Sequence, residues 1–402
     1  MIPYLIKIKK YLDEINKNPL TLNGLDSIDT AQHSQDLIQQ QSSILKSIYH
    51  NQKFGKINSI YKSSETRDSF VKLNKIAEND LEEHGRITNG KVESILWEGT
   101  EEQVSFFYKT FFQQKKPVLL KNFLKETIDF SSFTREFEDA RIYLTDINSF
   151  KNRIDRLGSM KNDYIHNCES IWNFGSSGEK LRSLIDLDLC QRMTRESIGS
   201  AQFFIGKTIT GGTDFHCANN HNLFFQFTGK KRWYFVNPAE TAFIYPMSSR
   251  SKGHFSSFLD LADYSGSRNI KDYPLLKYLN IQTIEIEEGD ALYNPPWWWH
   301  AVECLTEETI SVSSRWGKLA LTSFFEHNDS NIIYTLLQMQ NPILWGVLLY
   351  GKLSGKSKQH NFTTPVRSNG LTLFENISHE NESKSGESLS EKEKHYYLCW
   401  EK

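Results

Sequence analysis

Apolar and polar residues change their spacing twice along the chain. Up to about residue 90 the apolar positions are sparse and helically spaced. Ile2, Leu5, Ile6, Ile8 and Leu12 form one stripe, and Ile38, Ile44, Leu45 and Ile48 form another. Beyond Val92 the elements shorten. Glu101 to Gln113 predicts a helix with Val104, Phe107, Phe111 and Phe112 near one face, ended by Lys115-Lys116-Pro117. Val118 to Leu120 predicts a short buried strand, Ser132 to Phe137 a helix, and Ala140 to Thr145 a strand. The mixed polar stretch 150 to 180, punctuated by Gly158, Gly175 and Gly178, predicts loops.

From Ser200 the chain reads as strands. Ser200 to Ile205, Leu223 to Phe227, Arg232 to Val236, Ile281 to Ile286, Ala291 to Tyr293, His300 to Leu305 and Ile310 to Trp316 are each strand-like. Gly229-Lys230, Asn237-Pro238, Gly289-Asp290 and Pro295-Pro296 supply turns between them. Residues 246 to 275, rich in Ser and Gly, read as an inserted loop region. Short strands separated by turns predict a mainly β core, an antiparallel double-sheet barrel of the jelly-roll or cupin type. After Leu319 helical spacing returns, first through Ile332, Ile333, Leu336, Leu337 and Met339, then from Ile343 to Leu353. Residues 376 to 395 are rich in Ser, Glu and Lys and predict a mobile tail. The expected organisation is a helical extension over 1–90, a barrel domain over 91–318, a helical region over 319–375 and a tail over 376–402. The helical regions are candidates for packing or for a homodimer contact.

Composition narrows the class. Among 402 residues, 26 Phe, 17 Tyr and 9 Trp supply bulky material for a core. A net charge of −2 gives no electrostatic case for nucleic acid. The five cysteines are odd in number and form no CxxC pair, which predicts a reducing, cytoplasmic setting rather than a disulfide framework or structural zinc. Lys7, Lys9 and Lys10 interrupt the first apolar stripe, unlike a secretory leader. The run Pro342 to Tyr350 is too short to span a bilayer.

Two stretches hold the candidate chemistry. Gly211 to Trp233 reads GGTDFHCANNHNLFFQFTGKKRW, and Gly289 to His300 reads GDALYNPPWWWH. Each brings one histidine, His216 or His300, beside strand-like sequence. Two imidazoles from separate strands are the beginning of a non-haem iron site, which a carboxylate ordinarily completes. Trp297, Trp298 and Trp299 read as barrel packing rather than a substrate cage. Glu303, three residues beyond His300, falls on the opposite strand face.

From about Trp97 to Trp316 the chain resembles the cupin-8 and JmjC-like group of iron(II)/2-oxoglutarate oxygenases, most of all its asparaginyl-hydroxylase branch. The resemblance rests on Lys116-Pro117-Val118, Thr213-x-x-His216, Asn222, Gly229-x-Lys231-Arg232, Gly289-Asp290 and Pro295-Pro296-x-Trp298-Trp299-His300. It implies a double-stranded β-helix binding Fe(II) through His216 and His300, with 2-oxoglutarate and molecular oxygen as cosubstrates. Lys231 would pair with the distal carboxylate of 2-oxoglutarate, Thr213 would donate a hydroxyl to it, and Asn222 would lie beside the cosubstrate. The implied reaction is oxidation of an unactivated C–H bond in a small-molecule or peptide substrate.

One position departs from that pattern. Where the family has Asp or Glu, two residues after the first histidine, this chain has Ala218. Three outcomes follow. A chloride could occupy the place beside iron, as in the iron/2-oxoglutarate halogenases, which resemble this chain in having a small residue there. A nearby side chain could substitute, with Asp214, Cys217, Asn219 and His221 close in sequence. Or the metal chemistry could be lost, leaving a binding or scaffold protein.

Overall fold

A computed structural model of the chain describes residues 40, 44, 64–84, 91–139, 164–168, 171, 175–196, 198–207, 209, 212–218, 221–248, 255–257 and 274–316. The helices expected within Met1–Leu12 and after Leu319, the strand at Ala140–Thr145 and the tail from 376 lie outside the described residues. In chain order the elements are α1 (Ser64–His84), β1 (Glu93–Leu96), α2 (Glu101–Phe107), β2 (Val118–Lys121), α3 (Phe130–Glu136), β3 (Tyr164–Cys168), α4 (Gly175–Ser183), α5 (Leu187–Thr194) and β4 (Ile198–Lys207). Then follow β5 (Gly212–Cys217), β6 (His221–Thr228), β7 (Lys231–Val236), β8 (Pro246–Ser248), β9 (Phe255–Ser257), β10 (Gln282–Ile286), β11 (Ala291–Asn294), β12 (Trp299–Cys304) and β13 (Glu308–Trp316). A π-helical turn, Tyr108–Phe112, prolongs α2.

The strands form two sheets. One has seven strands in the order β1-β2-β11-β6-β13-β4-β3, the other six in the order β10-β7-β12-β5-β9-β8. Apart from the parallel β1–β2 pair, neighbours run antiparallel. This is the jelly-roll architecture that the turn spacing predicts. Between the sheets lies an apolar lining: Leu119, Phe224 and Leu292 from the larger sheet, and Trp233, Phe235, Ile286 and Val302 from the smaller. The rings of Phe224 and Trp233 meet edge-on with centroids 4.8 Å apart.

Strand β6 is buried almost throughout because it is covered on both faces. Phe224 points into the barrel, whereas Leu223, Phe225 and Phe227 join a second core beneath the helices with Phe107, Phe111, Phe133 and Phe137. That double covering explains its near-continuous apolar run. On β12 the alternation is strict: Val302 faces inward, while Glu303 faces outward and accepts hydrogen bonds from Tyr234 Oη (2.8 Å) and Arg232 Nη1 (3.3 Å).

Helix entry at α2 is set locally. Thr100 Oγ1 accepts from the Gln103 amide, and Gln103 Oε1 reaches back to the amides of Glu98 (2.7 Å) and Gly99 (3.1 Å). The Gly289-Asp290 pair is a buttress. The buried Asp290 carboxylate accepts from the amides of Asn122 (3.0 Å) and Glu287 (3.1 Å) and pairs with Lys121 Nζ at 3.1 Å, tying β2 to the β10–β11 turn. Gly229 turns β6 into β7 at φ +72°, and a Cβ there would lie 2.2 Å from the Glu308 carbonyl oxygen.

Two stretches depart from expectation. The 150 to 180 region holds β3 and the start of α4 in place of loops, because Ile165, Cys168, Ile171 and Leu181 are buried in the helical-layer core and tertiary packing outweighs the glycine signal. The 246 to 275 region contributes β8 and β9, which extend the smaller sheet beyond β5.

The contact of β5 with β12 is unusually close. Register runs His216 opposite His300 but Thr213 opposite Val302, so β5 carries one residue more than its partner, a bulge. Just before the bulge, a Cβ on Gly212 would sit 2.0 Å from the Val302 carbonyl oxygen. Gly212→Ala is therefore expected to force the strands apart and lower stability by about 1–3 kcal/mol, read by denaturant unfolding. Wild-type stability would mean that β5 can move without cost.

A second prediction concerns Glu240, on the short 3-10 helix Pro238–Ile244. Burial raises its carboxyl pKa to about 8, only partly opposed by a hydrogen bond from the Asn280 amide at 3.3 Å. The fold keeps a proton that the unfolded chain releases near 4.5, so stability falls as pH rises from about 4.5 to about 8 and then levels off. Glu240→Gln should remove that decline. Unfolding curves at pH 5 and pH 8.5 should then show the variant gaining on the wild type at the higher pH, and parallel curves would contradict the buried proton.

Candidate metal and cosubstrate site

The register of β5 and β12 places His216 directly opposite His300, with ring centroids 4.2 Å apart. Each ring is oriented by the backbone two residues before it. His216 Nδ1 lies 2.8 Å from the Asp214 carbonyl oxygen, and His300 Nδ1 lies 2.9 Å from that of Trp298. A carbonyl oxygen only accepts, so both rings carry their proton on Nδ1 and a lone pair on Nε2. That is the tautomer an imidazole needs to bind a metal. Trp233 stacks on His300 at 5.3 Å and 21°, fixing its plane within the barrel.

Ala218 follows β5 directly. It is half-buried, and its carbonyl accepts from the Trp297 amide at 2.8 Å. Trp297 itself has φ 68°, a left-handed conformation uncommon for a bulky residue. This bond joins the end of the His216 strand to the turn that leads into His300. Among the described residues, the considered substitutes for the missing carboxylate do not close the set. Asp214 is exposed. His221 lies on the outer face of β6, stacked on Phe112 at 4.1 Å, with Nδ1 2.7 Å from Tyr293 Oη. Cys217 is buried next to His216 on the alternate face, and Asn219 lies outside the described residues. Among the described residues, no group of three or more His, Cys, Asp or Glu side chains could hold a metal ion.

Lys231 opens β7, opposite Cys304 on β12, and is fully buried. Its Nζ lies 5.4 Å from the Phe224 ring centroid on the facing sheet, so the ammonium points into the barrel rather than onto the surface. Desolvation lowers its pKa to about 8. Its neighbours in the KKR run face outward: Lys230 pairs with Glu287 and Arg232 with Glu285. Thr213 stands opposite the barrel-lining Val302, and its Oγ1 is buried with no hydrogen-bond partner. Asn222 is buried beside the same interior, accepting from Ser313 Oγ at 2.9 Å.

These groups fit iron and 2-oxoglutarate as far as their chemistry goes. Two imidazoles suit a first-row metal. A buried ammonium and an unsatisfied hydroxyl suit a carboxylate brought into an apolar barrel. Trp297, Trp298 and Trp299 are all buried, and the indoles of Trp298 and Trp299 donate to the Lys115 carbonyl (2.8 Å) and Thr241 Oγ1 (3.0 Å), as packing residues do.

Sequence reasoning passed over Asn294. It ends β11 opposite Asn222, is 3% exposed, and places Nδ2 within 3.2 and 3.3 Å of the two ring nitrogens of His300. The available signal was an amide at the close of an apolar strand, just before Pro295-Pro296.

Several known proteins are similar in sequence to parts of this chain. HSPB1-associated protein 1 homolog of Danio rerio is 33% identical over 93 residues, 23% of this chain and 20% of that protein. Jumonji C domain-containing protein 5 of Drosophila melanogaster is 33% identical over 101 residues, 25% of this chain and 24% of that protein. Lysine-specific demethylase JMJ31 of Arabidopsis thaliana is 26% identical over 137 residues, 34% of this chain and 24% of that protein. The matched stretches thus span a fifth to a quarter of these relatives' own lengths. Residues 121–330, just over half of the chain, match the Cupin-like domain family. With that match lying over a two-sheet barrel that pairs His216 with His300, the chain belongs to the Cupin-like domain family.

Proposed function

We propose that this protein is a non-haem Fe(II)/2-oxoglutarate-dependent oxidative enzyme acting on an unactivated C–H bond. The observation that supports the reading most is the cross-strand pair His216–His300, with both Nδ1 protons directed to backbone carbonyls. Iron held there would supply oxygen activation coupled to decarboxylation of 2-oxoglutarate. The chain's own residues do the rest. His216 and His300 hold the metal, Lys231 and Thr213 hold the distal carboxylate, and Asn222 lies beside the cosubstrate. Phe224, Trp233 and Phe235 exclude water from the barrel wall. The demethylase name of the plant relative makes a peptide the first substrate class to test, with small molecules as the other.

The metal assignment is checked by anaerobic Fe(II) titration of the full chain. His216→Ala and His300→Ala are each expected to lose affinity by more than tenfold, and wild-type affinity in both would end the reading.

Cosubstrate binding should depend on pH through Lys231. A dicarboxylate needs the ammonium form, and in the free protein that form disappears as pH rises through about 8. Affinity for 2-oxoglutarate should therefore fall above pH 8 by as much as about tenfold per pH unit. Lys231→Met should bind more weakly at pH 7 and lose this pH dependence. A flat profile in the wild type would remove Lys231 from the site.

Ala218 favours a second, sharper reading within the same class. Its small side chain makes room beside the metal for chloride, which would turn the reaction towards halogenation; hydroxylation is the alternative outcome. Product mass analysis with and without chloride separates them, together with a structure containing Fe(II), 2-oxoglutarate and bromide. Bromide on the metal beside Ala218, lost in Ala218→Asp, supports halogenation. A halide-independent hydroxylated product rejects it. Absence of substrate-stimulated decarboxylation under every condition would favour a binding or scaffold role.

A further inference from the structure

We infer that Arg315 anchors the substrate by a carboxylate, so that the C–H bond to be oxidised belongs to a carboxylate-bearing molecule. The inference rests on the oxidative-enzyme reading above. On β13 the polar positions, not the apolar ones, face the barrel. Ile310, Val312 and Trp316 lie in the core beneath the helices, so alternation turns Ser313 and Arg315 towards the interior. Neighbouring strands agree. Ser313 stands opposite the barrel-lining Phe224 on β6, and Arg315 opposite Asn222. On β4, Ala201 and Phe203 join the helical-layer core, which turns Gln202 inward beside Ser313.

Three features of Arg315 point to a bound anion. The first is charge. The inward residues around it, Asn222, Gln202 and Ser313, are uncharged, so the guanidinium sets the sign of this wall. The second is orientation. Arg315 Nη1 donates to Gln202 Oε1 on the adjacent strand, one residue pair deeper than Arg315 itself. That bond draws the guanidinium along the inner wall, and because Gln202 is neutral it orients the charge without cancelling it. The third is depth. Arg315, Asn222 and Asn294 stand side by side across β13, β6 and β11. Two strand spacings of about 4.8 Å put Arg315 about 10 Å from Asn294 along the sheet. The Asn294 amide lies 3.3 Å from His300 Nε2, so this row is level with the histidine pair.

Lys231 occupies the other end. It stands opposite Cys304, four residues beyond His300 on β12, a distance of about 13 Å along the strand. Lys231 is fully buried, whereas Arg315 is half-buried and within reach from outside the barrel. The two cations therefore suit two different anions. A dicarboxylate held between the histidines and Lys231 leaves the guanidinium, at the level of the histidines, for the molecule that enters after it. A guanidinium presents a planar fork that matches a carboxylate bidentately, and its single charge balances one carboxylate.

The test is saturation-transfer NMR on the full-length, metal-free protein at pH 7, with acetate as the probe and acetamide as its uncharged counterpart. Saturating 2-oxoglutarate fills the Lys231 end. Acetate should bind the wild type under these conditions and acetamide should not. Arg315→Gln should weaken acetate by about tenfold or more, because a charge-assisted pair is lost, and leave 2-oxoglutarate affinity unchanged. Arg315→Lys should recover part of the acetate affinity. Lys231→Met should show the reverse pattern, weakening 2-oxoglutarate and retaining acetate. Thermal melting confirms that each variant is folded. Should Arg315→Gln not fold, Gln202→Leu carries the test, since loss of the orienting acceptor should also weaken acetate. Wild-type acetate affinity in Arg315→Gln, or in Gln202→Leu where that variant carries the test, overturns the inference, and so does equal binding of acetamide or no acetate binding in the wild type. A loss of 2-oxoglutarate affinity in Arg315→Gln as large as the loss for acetate would assign Arg315 to the cosubstrate and overturn it as well. Failure of the oxidative-enzyme reading looks different: the wild type would then not bind 2-oxoglutarate, while acetate measured without it would still separate Arg315→Gln from the wild type.

Discussion

The close approach of β5 to β12 is the constraint on which the site depends. Gly212 leaves no room for a side chain against the Val302 carbonyl, and the bulge that follows adds one residue to β5 before His216 meets His300. That extra residue changes which side chains share a face. Thr213 and His216 are three apart, an odd spacing that would separate them on a regular strand. The bulge brings both into register with residues of β12, Thr213 with Val302 and His216 with His300. The Ala218–Trp297 hydrogen bond then fastens the far end of the same strand pair. The two histidines are thus held by backbone on both sides, and their rings are oriented by carbonyl oxygens that substitution of neighbouring side chains would leave in place.

Around this pair the barrel combines an apolar wall with a few polar groups that have no surface role. Lys231 is the strongest case. Adjacent basic residues project outward to Glu287 and Glu285, while Lys231 is desolvated enough to lower its pKa to about 8. The hydroxyl of Thr213 and the amide oxygen of Asn294 are each buried without a hydrogen-bond partner, which is a cost to the fold. Such costs, gathered in one barrel interior beside paired imidazoles, are what a site for a charged cosubstrate and a metal requires. The Asp290 carboxylate shows the contrast. It is equally buried, but two backbone amides and Lys121 satisfy it, and it braces the turn rather than waiting for a ligand.

Much of this was legible in the chain itself. Strand periodicity and turn residues determined the barrel, because the alternation of β10 and the punctuation at Gly229, Gly289 and Pro295-Pro296 are local properties. Paired motifs singled out His216, His300 and Lys231, and placed Glu303 on the outer face. Gly175 and Gly178 misled, because a glycine signals a loop only where no core is available to hold a helix. What tertiary structure alone decided were the relations between strands distant in sequence. The bulge that sets Thr213 against Val302 and His216 against His300 exists only in the pairing of β5 with β12. His221 falls outside the site because β6 turns it towards Tyr293 and Phe112. Asn294 reaches His300 because the chain passes from one sheet to the other between them. A sequence records which groups can ligate, donate or accept; the register of one strand against another decides which of them meet.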